Sequence, residues 1–207
     1  MPTLLRMSQQ GQRRQGTPPY GAALIEGNQK RGIILVHDDL DFSKFLESFM
    51  KRENSKLDIQ EILSRKYSED AVIDTYEYCM KKCDWDPSVL ADGNIKDFLL
   101  GMLFQAEVDN GGISQFFFNS SGDLSQETVA ALTKVDAKSA RILAEALACF
   151  PNGVAPRDRQ IRNDLMDRFD EETVNRLELL EEVISGHDSS KSYYDFLQEH
   201  KEDFLNF

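Results

Sequence analysis

Glu107 and Asp109 come nearest to a catalytic pair in this chain. They open an unusual run, EVDNGGISQFFFNSSG, at residues 107–122. General acid–base work needs two carboxyl groups held in different environments and converging on one pocket. Two residues apart on a helix, these two point about 200° away from each other. No histidine or nucleophile pattern stands beside them. The corner is therefore expected to use its polar groups internally, and the chain is expected not to be an enzyme.

Metal and phosphate chemistry fare no better. Cys79 and Cys83 lie four apart in YCMKKC and share a helix face. A zinc site needs further ligands, and His37, His187, His200 and Cys149 offer no matching spacing. Reduced core thiols are the expectation, with no metal and no cofactor. Neither GxxxxGK[ST] nor GxGxxG occurs, so no phosphate loop is read.

What remains is charge. The 207 residues carry a net −12. Residues 1–36 hold five basic groups against Glu26, a net +4, which leaves 35 acids and 19 bases, a net −16, for the rest. A body this acidic repels nucleic acid and membrane surfaces and attracts basic partners. On a helix following Asp170, Glu171, Glu178 and Glu182 fall within about 40° of one another and span about 16 Å. Glu181 adjoins them. On a last helix Asp195, Glu199 and Glu202 form a second row, opposite Tyr193, Phe196, Leu197 and Phe204. Some of these acids have a local reason: Glu171 favours a helix start, and Glu172 can pair with Arg176. Glu178 and Glu182 have none, because like charges at i, i+4 cost a few tenths of a kcal/mol.

The elements that must position these groups are helical. No apolar run approaches the roughly 20 residues of a membrane span. The start, MPTLLRMSQQGQRRQG, lacks the apolar segment of a secretory signal, so a cytoplasmic location is expected. Residues 1–40 read as a basic arm, aperiodic and disordered over 1–19. Within it AALI (22–25) and IILV (33–36) either pair as a small hairpin or form a buried turn. From Asp41 the pattern is α-helical, beginning with Phe42, Phe45, Leu46, Phe49 and Met50. Helix starts are read at Ser68, Ser125, Asp136, Pro156, Asp170 and Ser192. Pro87 in DWDP breaks the chain. Trp85 beside it either packs on this turn or anchors a partner, and His200 falls on the apolar stripe of the last helix.

A helix over 94–109 is apolar nearly all round, through Ile95, Phe98, Leu99, Leu100, Met102, Leu103, Phe104, Ala106 and Val108. Such a helix belongs at the centre of a domain. Asn110, Gly111 and Gly112 supply residues that tolerate positive φ where it stops. Ile113, Phe116 and Phe117 then form one face of a short second helix, closed by Gly122. Glu107 is placed to accept backbone N–H groups at the start of that second helix, and Gln115 and Asn119 to satisfy free carbonyls. The fold class is all-α: one multi-helix domain in residues 41–207 around the helix at 94–109.

The run E-V-x-N-G-G-x-x-Q-F-F-x-N-S-S-G, followed by ILAEALACFPNGVAPRDR, resembles a bacterial family, the DNA-mimic proteins, over roughly residues 65–207. That family is named for a dimeric acidic member that occupies a DNA-binding transcription regulator. The resemblance rests on Glu107, Asn110, Gly111, Gly112, Gln115, Phe116, Phe117, Asn119 and Gly122. It implies a module whose surface acids compete with DNA for a basic regulator or nucleoid-type protein. Glu171, Glu178, Glu181, Glu182, Asp195, Glu199 and Glu202 are the acids expected to do so. The alternative is a protein-interaction module of immunity or scaffold type, acting through shape. Duplex DNA presents one charge per about 1.7 Å, so 16 Å of it carries roughly ten. One helix row carries three, so mimicry implies a homodimer.

Overall fold

The computed structural model describes residues 20–27, 30–37 and 57–207. The chain divides into two compact units, residues 1–56 and 57–207. In the first, β1 (Tyr20–Gly27) pairs antiparallel with β2 (Lys30–His37), in register from Tyr20 opposite His37 to Gly27 opposite Lys30. The hairpin read at 22–36 is present and slightly longer. The arm at 1–19, the helix beginning at Asp41 and the boundary at 40/41 lie outside the described residues.

The second unit is all-α. Side-chain caps start most of its helices: Asp58 for α1 (Ile59–Ser64) and Ser68 for α2 (Glu69–Lys82), each accepting N–H groups of the first turn. After α2 the chain reverses at Asp84 and Trp85, both left-handed at φ 50° and 64°, with the Trp85 N–H bonded to the Met80 carbonyl at 2.8 Å. The Trp85 ring stays nearly half exposed, at 47%. Then follow α3 (Asn94–Phe118), α4 (Ser125–Val135) and α5 (Ala137–Leu147), the last capped by Asp136.

Pro156 does not open the next helix. Asp158 caps α6 (Arg159–Met166) by accepting the Ile161 N–H, so the first turn begins three residues later. Asp170 caps α7 (Glu171–Ser185) as its sequence position implies. The C-terminal helix is two: α8 (Ser190–Glu199) and α9 (Lys201–Leu205) meet at His200, whose φ of −109° and ψ of 23° leave the helix. His200 is held there by packing. Its Nδ1 lies 3.1 Å from the Asn94 side-chain nitrogen, and its ring centroid 4.5 Å from that of Phe196.

The domain is arranged around α3. Helices α2, α4, α6, α7, α8 and α9 all lie against it. Phe98, Leu99, Phe104, Ile113, Phe116 and Phe117 on α3 are fully buried. Edge-to-face contacts run from Phe104 through Phe116, Phe117 and Phe150 to Phe169, with centroids 4.9–5.4 Å apart. The C-terminal stripe is spent on this core too: Tyr193, Phe196, Leu197 and Phe204 are all buried. It offers no surface for a second copy.

Cys79 and Cys83 are buried and Cys149 half-buried, all as free thiols. Burial, reinforced by Cys83, pushes the Cys79 thiol up to about 12. Among the described residues no group of His, Cys, Asp or Glu is placed to hold a metal ion, and no helix is long and apolar enough to cross a membrane.

Candidate functional site

The corner at 107–122 is a kink inside α3. Its two arms are joined by Gly111 (φ −174°, ψ 23°) and Gly112 (φ 81°, ψ −178°). Only Gly112 occupies the left-handed half of the map, so the positive φ expected somewhere in Asn110-Gly111-Gly112 falls on one residue. Its missing side chain matters as well. A Cβ there would lie 2.7 Å from Cδ of Glu181.

Glu181 reaches the corner because of that gap. Its Oε1 accepts the Ser114 backbone N–H at 2.9 Å and the Ser114 hydroxyl at 2.7 Å, capping the second arm from the facing helix α7. The place of Glu181 in the exposed acidic surface is thereby corrected: it is half-buried and engaged. The capping role expected of Glu107 is corrected with it. The Glu107 carboxylate instead accepts the Gln115 and Asn119 side-chain amides at 2.9 and 2.8 Å on Oε2, and the Ser121 hydroxyl at 2.7 Å on Oε1. Gln115 and Asn119 thus donate to a carboxylate and leave the corner's carbonyls to another group. Asp109 points to solvent and accepts from the Gln105 amide at 2.8 Å, so the two carboxylates do not converge.

The group that takes the carbonyls is Arg162, the largest fully buried side chain. Its Nε donates to the Phe117 carbonyl at 2.5 Å, Nη1 to the Pro156 and Arg157 carbonyls at 2.6 and 3.2 Å, and Nη2 to the Asn119 carbonyl and the Asp123 carboxylate, each at 2.7 Å. Gly122 does not close the second arm, which ends at Phe118. It sits in the following turn, where a Cβ would press on Arg162 at 2.8 Å. Sequence reasoning missed Arg162. The signal was an arginine on the same helix face as Leu165 and Met166, a place where charge must be paired.

With Glu107 and Arg162 each holding several groups of the turn, this corner is a brace. Replacing Glu107 with Gln puts an amide NH₂ among three donors and should lower stability by about 1–3 kcal/mol in urea unfolding. A Glu107→Gln protein as stable as wild type would contradict the network.

The surface acids are placed as follows. Glu171, Glu178 and Glu182 are exposed along α7, and Glu178 and Glu182 make no ion pair among the described residues. Glu199 and Glu202 are exposed on α8 and α9. Asp195 is exposed too, but Lys191 pairs with it at 2.6 Å, one turn earlier on α8. Both rows are carried by helices that rest on α3, with α7 also against α5 and α8 also against α2 and α4.

The family model of the DMP19-like proteins matches residues 92–202, more than half of the chain. The chain belongs to the DMP19-like protein family. This is the DNA-mimic family that the corner resembled, and the match takes in the corner, the Arg162 hub and α7 entire. The DMP19-like match begins at residue 92, so α1 and α2 precede it within the same compact unit. No curated protein and no solved structure matches the chain.

Proposed function

We propose that this protein is an acidic binding module that imitates duplex DNA and occupies the DNA-binding surface of a basic regulator or nucleoid-type protein. The observation that carries this reading is the row Glu171, Glu178 and Glu182 on α7, in a chain of net charge −12 belonging to a DNA-mimic family. Glu178 and Glu182 repel one another and gain nothing within the described fold, so a partner's cations are what make their spacing useful. Glu199 and Glu202 extend the acidic surface. The reading assigns no catalytic role, and a cytoplasmic setting suits such partners and reduced thiols.

Charge density sets the assembly. Three carboxylates over about 16 Å fall well short of the roughly ten charges of DNA over that length. One chain's rows carry too few charges for that length, so a second copy is the means of reaching DNA-like density. Sedimentation at micromolar concentration should return twice the chain mass. A clean monomer would remove the dimer and weaken mimicry.

The test of function is competition. A partner captured from the native host is titrated with labelled DNA and this protein. Glu178→Lys with Glu182→Lys should abolish displacement of DNA while leaving helical circular dichroism unchanged, because both side chains are exposed. Undiminished displacement by the double variant would shift the reading to an interaction module acting through shape.

A further inference from the structure

Mimicry accounts for the acids of α7 but not for what stands beside them. Leu179 and Val183 are 62% and 50% exposed, on the solvent side of a helix whose inner face buries Leu177, Leu180 and Ile184. At 100° per residue, Val183 lies about 40° to one side of Leu179. Glu182, Glu171 and Glu178 lie about 60°, 80° and 100° to the other. The exposed face of α7 thus carries Leu179 and Val183 beside an acidic row, with Glu172 and Arg176 on the Val183 side about 20° and 60° from Leu179. An open depression bordered by Glu171, Glu172, Asn175 and Arg176 adjoins Leu179. The phosphate rails of DNA have no counterpart to the apolar row.

We infer that this face docks an amphipathic basic helix, with its apolar side on Leu179 and Val183 and its basic side on Glu171, Glu178 and Glu182. The inference rests on the reading above and names the shape of the partner's contact. Charge complementarity selects the occupant. A second copy packed antiparallel on the same face and centred on Leu179 would set Glu182 on the same side as its own counterpart, about 9 Å away along the axis, adding repulsion. A basic helix meets Glu171, Glu178 and Glu182 with opposite charge and only Arg176 with like charge, and its apolar face covers side chains that otherwise stay in water.

The probes are two synthetic helical peptides with identical lysines, one with a leucine face and one with those leucines replaced by glutamine. Each is titrated into the full chain at physiological salt, with NMR shifts mapping the contact. The leucine peptide should bind at least about tenfold tighter. Leu179→Ser with Val183→Ser should erase that difference, and Glu178→Gln with Glu182→Gln should weaken both peptides. Shifts should concentrate on α7. Equal affinity of the two peptides, or indifference to Leu179→Ser with Val183→Ser, overturns the apolar row and leaves acidic mimicry standing. Shifts on another face, or no binding of either peptide, overturns the docking site. Indifference to the glutamine variants removes α7 from the acidic reading itself.

Discussion

An Arg162→Met protein is expected to lose about 3–5 kcal/mol of folding stability, the largest effect of any single substitution considered for this chain. Methionine fills much of the volume but donates nothing. The carbonyls of Phe117, Asn119 and Pro156 would lose the donors that Arg162 gives them, and Asp123 its cation. Buried acceptors left unsatisfied cost their full desolvation. For a domain of this size the loss corresponds to a fall in Tm of about 6–20 °C. Arg162→Lys keeps the charge but not the planar fork that serves five acceptors, so it should fall in between. Thermal unfolding followed by circular dichroism measures both. A methionine variant melting within about 2 °C of wild type would refute the hub.

Gly112→Val should cost about 3 kcal/mol, through two separable causes. The conformation at φ 81°, ψ −178° is essentially reserved for glycine and strains other residues by about 1–3 kcal/mol. The new Cβ also meets the Glu181 carboxylate, 2.7 Å from Cδ and 2.8 Å from Oε1, and drives it off Ser114. Gly111→Val is the internal control. Its φ of −174° suits any residue, and its Cβ would press on the Gln115 side chain, at the cost of the single bond from that amide to Glu107. Denaturant titration should therefore rank Gly112→Val well below Gly111→Val in stability. Equal midpoints would mean that backbone strain and the Glu181 contact do not hold the corner.

The all-α architecture was legible because its signals are local. Ser68, Asp136 and Asp170 sit where a side chain can cap a first turn, and each does so. The apolar run of 94–109 announced a central helix, and the glycine pair its end. What escaped was set by partners distant in sequence. Glu181 looks like one more surface acid until α7 lies against the corner, 67 residues from Ser114. On α6 the hydrophobic pattern misleads outright: Ile161 is 54% exposed while Arg162 is fully buried, because five acceptors from residues 117–157 converge only after folding. The C-terminal stripe was legible as apolar, but its destination was not. Periodicity tells that a face must be covered, and packing alone decides whether the body or another copy covers it.

The central claim is that acids on α7 stand in for DNA phosphates, and one titration bears on it most directly. Partner, labelled duplex DNA and this protein are mixed at low and at physiological salt, and the species present are resolved. Mutually exclusive complexes are predicted, with DNA released as this protein binds. Its affinity should fall steeply between the two conditions, because exposed charges are screened within about 8–10 Å. Glu178→Lys with Glu182→Lys should release no DNA at either salt. A ternary complex that keeps its DNA, or an affinity indifferent to both salt and the double reversal, would contradict the account.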